Sequence, residues 1–158
     1  MAAILGLDDA DVQAACAEAA EGEVVSAVNF NAPGQVVIAG AAAAVERAII
    51  ACKARGAKRA LALPVSVPSH CALMQPAAEQ FAQSLAAIEW QQNLLAQLYS
   101  PVRWVESMVC LAAQGVTDVV ECGPGKVLSG LNKRCIKGVN TYNLDTPEAF
   151  AAAVAAQL

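Results

Sequence analysis

The chain has one histidine, His70, and prolines at positions 64 and 68 stiffen the backbone that leads to it. An imidazole changes its protonation state near neutral pH and can therefore serve as a general base. A lone histidine is more often a structural residue, so the residue type alone does not decide between the two interpretations. A general base also needs a nucleophile, and the residues considered for that role are Cys71 and Ser129.

Neither candidate has the sequence context of a nucleophile. The pattern G-x-S-x-G does not occur, because Ser129 lies in the run Val-Leu-Ser-Gly-Leu, which lacks the first glycine. Cys71 adjoins His70, but neighbouring side chains usually diverge, and a buried thiol is usually inert. We interpret Cys71 as structural, and the sequence therefore predicts a base without its nucleophile.

The composition predicts a folded domain and excludes several classes of binding site. The chain has 158 residues, the length of one domain or two small subdomains, and 57% of them are hydrophobic, which is not typical of disorder. The net charge is −4 and no Lys/Arg run exceeds two residues, so we expect no nucleic-acid binding. Six cysteines without a C-x-x-C pair, together with one histidine, predict no metal site.

The sequence also gives an expectation for the compartment. Unpaired cysteines in apolar stretches are typical of a reducing cytoplasm. No apolar stretch approaches the about 20 residues of a membrane span, and residues 1–7 lack the basic start of a signal peptide. The Gly-Pro-Gly-Lys run at 123–126 lacks the spacing of a phosphate-binding loop. We expect a cytoplasmic protein without membrane contact and without a cofactor.

Residues 1–66 have the hydrophobic pattern of a β-α-β-β-α-β unit. Strand patterns cover residues 2–7, 24–30, 35–39 and 58–67, with a loop at 31–34. The first predicted helix begins after Asp8 and ends with Gly22 as its C′ residue, and Gly56 ends the second. This order is that of a ferredoxin-like split βαβ fold.

Residues 67–158 predict four helices and only one strand. Helical spacing covers residues 74–88 and 102–115, the segment after the Gly-Pro-Gly turn, and the segment that starts at Pro147. The strand covers residues 118–122. Because one strand has no ladder partner for its main-chain groups, we expect an incomplete sheet in this half. The predicted class is α/β (α+β), with one domain at 1–66 and another at 67–158.

Five runs, in the same order as in the family, resemble the bacterial malonyl-CoA:acyl-carrier-protein transacylases (S-malonyltransferases) of fatty-acid biosynthesis. They are the runs at 6–9 (GLDD), 28–35 (VNFNAPGQ), 64–70 (PVSVPSH), 97–104 (QLYSPVRW) and 121–126 (ECGPGK). The resemblance implies an α/β-hydrolase-like acyltransferase domain with a ferredoxin-like insert. It also implies malonyl-CoA and acyl carrier protein as the substrates, and a serine nucleophile with a histidine base.

Three motifs of the family have no counterpart here: the Gly-Gln-Gly-Ser loop, the G-H-S-x-G nucleophile elbow and the arginine that binds the malonyl carboxylate. A further gap falls between about Trp90 and Leu94. We therefore expect the C-terminal portion of a transacylase with an internal deletion, which has little or no activity alone. The alternatives are a non-catalytic ferredoxin-like module that binds acyl carrier protein, or a fragment without an evolved role.

The resemblance also implies roles for single residues near the base. His70 matches the catalytic base, and Gln97 matches a glutamine whose main-chain carbonyl orients it; Gln97 is otherwise an ordinary helix residue. Asn31 and Gln35 match the lining of the malonyl pocket, where amides can bond carboxylate or thioester oxygens. Turn chemistry before Pro33 explains Asn31 equally well.

Two basic pairs match a docking surface for the acidic carrier protein. Complementary charge would steer that encounter, although isolated basic pairs are usually solvated surface charge. The four residues are Lys58, Arg59, Lys133 and Arg134.

Overall fold

The computed structural model describes residues 1–85 and 91–155. Its contacts divide the chain into two units, Met1–Arg103 and Trp104–Leu158. The boundary that the sequence predicts near residue 66 stays a prediction. The predicted helical position Ile88 and the predicted gap at Trp90 lie outside the described residues.

The first unit begins with four strands and two helices in the predicted order. They are β1 (Ala2–Leu5), α1 (Asp9–Ala19), β2 (Val25–Ala32), β3 (Gln35–Gly40), α2 (Ala42–Ala54) and β4 (Arg59–Ala62). The spatial order is β2-β3-β1-β4, and every neighbouring pair is antiparallel. In this register Ala3 lies between Val37 of β3 and Leu61 of β4.

The hydrophobic core lies between the sheet and its two helices. Strand side chains alternate between faces, so Ile4 and Ile38 point to the same side, and both are fully buried. Val12, Cys16 and Ala48 of the two helices are buried in the same cluster. Aliphatic side chains thus form the buried part of this core, as the 4% aromatic content requires.

Three local predictions in this region are wrong. Asn31 lies in β2 and not in a loop. Ala32 pairs with Gln35, so β2 continues up to the two-residue Pro-Gly turn. The helix α1 ends at Ala19 with Ala20 as its C-cap, so Glu21 (φ 47°), and not Gly22, is the first left-handed residue. The strand predicted to run to residue 67 ends at Ala62.

Two helices follow in the first unit after a short 3₁₀ turn at Ala72–Met74. The helix α3 (Gln75–Ser84) has Pro76 in its first turn, as predicted. The helix α4 (Gln91–Tyr99) contains Gln97, for which a position in a helix is the alternative interpretation above. Val102, predicted to be helical, instead forms an isolated parallel β-bridge with Asn29 of β2.

The described residues of the second unit, 104–155, form three helices and two strands. They are α5 (Trp104–Ala113), β5 (Asp118–Glu121), α6 (Val127–Cys135), β6 (Asn140–Asn143) and α7 (Pro147–Ala155). The expectation of a strand without a partner is wrong, because β6 pairs in parallel with β5. The β6 sequence, Asn-Thr-Tyr-Asn, is polar and gives no alternating pattern. Among the described residues, no helix has both the length and the apolar character to cross a membrane.

Candidate active site around His70

His70 occupies an unusual backbone conformation between β4 and the 3₁₀ turn. Its φ is 67°, in the left-handed region, and among the described non-glycine residues only Glu21 shares a positive φ. The left-handed region is costly for residues with a Cβ atom. Such strain persists only where surrounding contacts fix the residue, and it is frequent at functional sites.

Two consecutive carbonyl groups hold His70. Its main-chain N–H donates to the carbonyl of Leu98 at 2.9 Å, and its Nδ1 lies 2.8 Å from the carbonyl oxygen of Gln97. A carbonyl oxygen can only accept a hydrogen bond, so Nδ1 carries the proton. The neutral imidazole then has its free lone pair on Nε2, which is the arrangement that a general base needs. The family resemblance implied the contact with the carbonyl of Gln97 but not the contact with that of Leu98.

Both carbonyls belong to the last turn of α4. The last four carbonyls of a helix have no partner within the helix and are available to other donors. The side chain of Gln97 does not take part, since its Nε2 donates to the carbonyl of Leu94 at 3.2 Å. The contact with His70 therefore depends on the main chain at position 97 and not on the residue type.

Cys71 points away from this site into the protein. Its side chain is 2% exposed, its Sγ–H donates to the carbonyl of Pro68 at 3.1 Å, and it packs with Val28 and Ala39. His70, by contrast, is only half-buried. The buried position of the Cys71 side chain, away from the half-buried His70, agrees with the interpretation of Cys71 as a structural residue.

Asn31 and Gln35 lie on either side of the turn between β2 and β3, and both are half-buried. The main-chain N–H of Gly6 donates to the carbonyl of Gly34 at 2.8 Å and fastens this turn to the end of β1. The structure thus brings the two amide residues together, while their role as pocket residues stays a prediction.

The two predicted basic pairs lie in different units of the structure. Lys58 and Arg59 are exposed. The carbon chain of Lys58 packs against Gly6, where an added Cβ atom would lie 2.7 Å from it. Lys133 and Arg134 are exposed in the last turn of α6, where positive charge favours the negative end of the helix dipole. Their docking role stays a prediction.

The Gly-Pro-Gly-Lys loop of the second unit is organised around Glu121. The carboxylate of Glu121 accepts the main-chain N–H groups of Leu128 at 3.1 Å and Ser129 at 2.7 Å, at the start of α6. Hydrogen bonds from the side chain and main chain of Ser129 lower the pKa of Glu121 from its ordinary 4.5. The carboxylate already occupies this helix N-terminus, which supports a structural turn. Ser129 is 7% exposed and lies within this arrangement, which does not suit a nucleophile.

Known proteins give a consistent set of relatives, although no protein-family model matches the chain. The malonyl CoA-acyl carrier protein transacylase of Escherichia coli K12 is 54% identical over 176 residues, which cover 98% of this chain and 57% of the relative. The Bacillus subtilis enzyme of the same name is 41% identical over 98% of this chain and 56% of the relative. Because 176 aligned positions exceed the 158 residues of the chain, the first alignment must contain gaps in this chain, as an internal deletion requires.

Solved structures agree with these relatives. An acyl carrier protein S-malonyltransferase from Vibrio cholerae superimposes with a TM-score of 0.93 at 49% identity, over 96% of this chain and 57% of the other. A malonyl-transacylase in complex with its type II PKS acyl-carrier protein gives a TM-score of 0.95 at 45% identity, over 98% and 57%. This chain is therefore homologous to the malonyl CoA-acyl carrier protein transacylases and spans 57% of the length of the E. coli relative and of the transacylase solved with its carrier protein.

Proposed function

We propose that this chain is the histidine-bearing portion of a malonyl-CoA:acyl-carrier-protein transacylase. In this role His70 is the general base for malonyl transfer from coenzyme A to the phosphopantetheine thiol of the carrier protein. The observation that carries the proposal is the contact between Nδ1 of His70 and the carbonyl of Gln97, which leaves Nε2 free to accept a proton. The homology supplies the reaction class.

The chemistry divides into two half-reactions. In the first, Nε2 of His70 takes the proton of a serine hydroxyl while the serine oxygen attacks the malonyl thioester, and the released coenzyme A thiolate is protonated by the imidazolium. In the second, Nε2 takes the proton of the carrier thiol, which attacks the malonyl-serine ester, and the serine oxygen regains a proton. Asn31 and Gln35 are the proposed amide contacts for the malonyl group.

This chain contains no G-x-S-x-G serine, so we propose that it has little or no transacylase activity alone. Loss of one member of such a catalytic set lowers the rate by several orders of magnitude. In this proposal the chain supplies the base and its positioning contacts, and another segment supplies the nucleophile.

We also infer a fold assignment that is finer than mixed α/β. Residues 1–66 are proposed to form a ferredoxin-like subdomain, and residues 67–158 the C-terminal part of the acyltransferase domain. The strand order β2-β3-β1-β4 with antiparallel neighbours supports the first part, because a split βαβ fold places β3 and β1 in the centre.

A second candidate is a non-catalytic module that binds acyl carrier protein. The exposed pair Lys58 and Arg59 favours it, together with the similarity to a transacylase that was solved with an acyl-carrier protein. Arg59→Glu should then weaken carrier binding, measured by isothermal titration calorimetry. Lys137→Glu is the matched control, because it makes the same charge change outside the predicted pairs. Equal binding by wild type and Arg59→Glu would count against a docking role for this pair.

Intact mass spectrometry tests the proposal that the chain lacks a nucleophile. The chain is incubated with malonyl-CoA, and its mass is measured before and after addition of carrier protein. We expect no adduct. A malonyl adduct that carrier protein removes would show that another nucleophile completes the site, and peptide mapping would begin at Cys71 and Ser69.

A chimera tests the role of His70 directly. The part of the E. coli relative that has no counterpart here is joined to this chain, and malonyl transfer to carrier protein is measured. We expect transfer that His70→Ala abolishes and Gln97→Ala retains, because alanine at position 97 keeps the carbonyl. A chimera that transfers malonyl equally well after His70→Ala would refute the assignment of the base.

A further inference from the structure

Val102 lies outside the helices but is fixed to the edge of the sheet by its main chain. Its N–H donates to the carbonyl of Val28 at 2.7 Å, and its carbonyl accepts the N–H of Phe30 at 2.9 Å. These two bonds form the parallel bridge opposite Asn29, and β2 is an edge strand with an open side for it. Val102 therefore acts as a one-residue extension of the sheet.

This bridge lies close in sequence to the carbonyls that hold His70. Only three residues separate Leu98 from Val102, and one of them is Pro101, whose ring fixes φ. The N–H of Ser100 donates to the carbonyl of Ala96 at 2.9 Å and closes the last turn of α4. The end of α4 therefore has little freedom to move relative to β2 while the bridge is intact.

A second contact connects His70 to the same stretch of β2. Cys71, the next residue after His70, packs against Val28, and both side chains are at most 2% exposed. His70 is thus fixed on one side through Cys71, and on the other through the carbonyls of α4 and the bridge at Val102. Both connections meet at Val28.

We propose that Val102 is a positioning residue for His70. Its bridge to β2 holds the carbonyls of Gln97 and Leu98 where they accept Nδ1–H and the main-chain N–H of His70, and so it keeps the imidazole in the Nδ1–H tautomer. The relevance to acyl transfer rests on the proposed function. The effect on the tautomer does not, because it follows from the hydrogen bonds alone.

The test uses the whole chain and its single histidine. Long-range ¹H–¹⁵N NMR of ¹⁵N-labelled protein at about pH 8, where an ordinary imidazole is neutral, reports which ring nitrogen carries the proton. We expect the Nδ1–H form in wild type and a shift towards the mixture of tautomers of a free imidazole in Val102→Pro, which removes the N–H donor. Amide exchange at His70 should become about tenfold faster, as expected when a main-chain hydrogen bond no longer resists local opening.

Two matched variants control the experiment. Val102→Ala keeps the N–H and should give the wild-type imidazole spectrum. Val116→Pro also removes one valine N–H, which donates to the carbonyl of Leu111 in the other unit, and it should leave His70 unchanged. An altered His70 spectrum in Val116→Pro would show a non-specific effect and would overturn the proposal.

The decisive result is the spectrum of a folded chain without the Val102 donor. If Val102→Pro fails to fold, the α-hydroxy acid analogue of valine at position 102 removes the N–H with the side chain unchanged. A folded chain of either kind with the wild-type tautomer and wild-type exchange at His70 would refute the positioning role. Because this readout needs no activity, it stays valid if the chimera shows that His70 is not the base.

Discussion

Replacing His70 by glycine and by alanine measures the backbone strain at the candidate base. Both variants lose the imidazole and its bond to the carbonyl of Gln97, so the comparison isolates the backbone. At φ 67° the Cβ atom of alanine retains the steric conflict that histidine has, whereas glycine has none. We therefore expect His70→Gly to be more stable than His70→Ala, the reverse of the usual order.

The expected difference follows from two opposing effects. The left-handed conformation costs a residue with a Cβ atom roughly 1–2 kcal/mol. Glycine loses more conformational entropy on folding, which costs roughly 0.5–1 kcal/mol relative to alanine. The two ranges leave a net advantage of His70→Gly of roughly 0–1.5 kcal/mol, centred near 0.75 kcal/mol, in the free energy of unfolding.

Urea unfolding at pH 7, followed by circular dichroism, gives the free energies of unfolding for both variants. Ser69 provides the matched control, because its φ is not positive. There, Ser69→Ala should be more stable than Ser69→Gly by about 0.5–1 kcal/mol, with the sign opposite to that at position 70. If His70→Ala equals or exceeds His70→Gly in stability, the strain argument is wrong and the left-handed φ carries no cost at this site.

Three further predictions concern the rest of the chain. Gly40→Ala should strongly lower the melting temperature, because the added Cβ would lie 2.1 Å from a main-chain oxygen, whereas Gly130→Ala in α6 meets no atom within 4 Å and should be neutral or stabilising. Hydrogen bonds from Ser129 lower the pKa of Glu121, so its contribution to stability is complete at neutral pH and is lost as the pH falls below 4.5. Urea unfolding across that range should show a shallower loss of stability for Glu121→Gln, and an unchanged pH dependence would refute this role. Burial raises the pKa of Cys16 to about 12, so iodoacetamide at pH 8 should leave it unmodified, as read by peptide mass spectrometry, while labelling the exposed thiols of Cys110 and Cys122.

The first four strands and two helices were predictable because their signals are local. Ala2 and Ile4 alternate with half-buried neighbours in β1, and a left-handed glycine follows α2 at Gly56 (φ 97°), as the sequence indicated. The errors at Asn31 and Gly22 concern ends of elements. Such ends depend on which residues pair across the turn or close the last helical turn, and hydrophobic spacing does not report that.

The larger errors concern contacts between distant segments. Val102 shares its periodicity with Val105 and Val109, so local spacing assigns it to the helix, whereas its hydrogen bonds go to β2, more than 70 residues earlier. The strand β6 is polar and gains its conformation from its pairing with β5. Local patterns contain no information about either partner, so the predicted helix began too early and the predicted sheet of the second half lacked a strand.

The candidate site was predictable only in part, for the same reason. The resemblance named His70 and the carbonyl of Gln97, and these two groups do meet at 2.8 Å. It did not indicate that a second carbonyl, from Leu98, holds the main chain of His70. The left-handed φ of His70 was also not predictable, because histidine, although enriched in this region over most residue types, adopts it far less readily than glycine does.

The strain at His70 bears on whether the chain retains the geometry of a base. A non-glycine residue stays in the left-handed region only where its surroundings over-determine it, and here two carbonyls and the buried Cys71 do so. All of these contacts lie within Met1–Arg103, so the tautomer with a free Nε2 is established by one unit of this chain. Because Glu21 also has a positive φ, at the end of α1, the strain alone assigns no role to His70. The proposed role as a base rests on the homology together with the contact between Nδ1 and the carbonyl of Gln97.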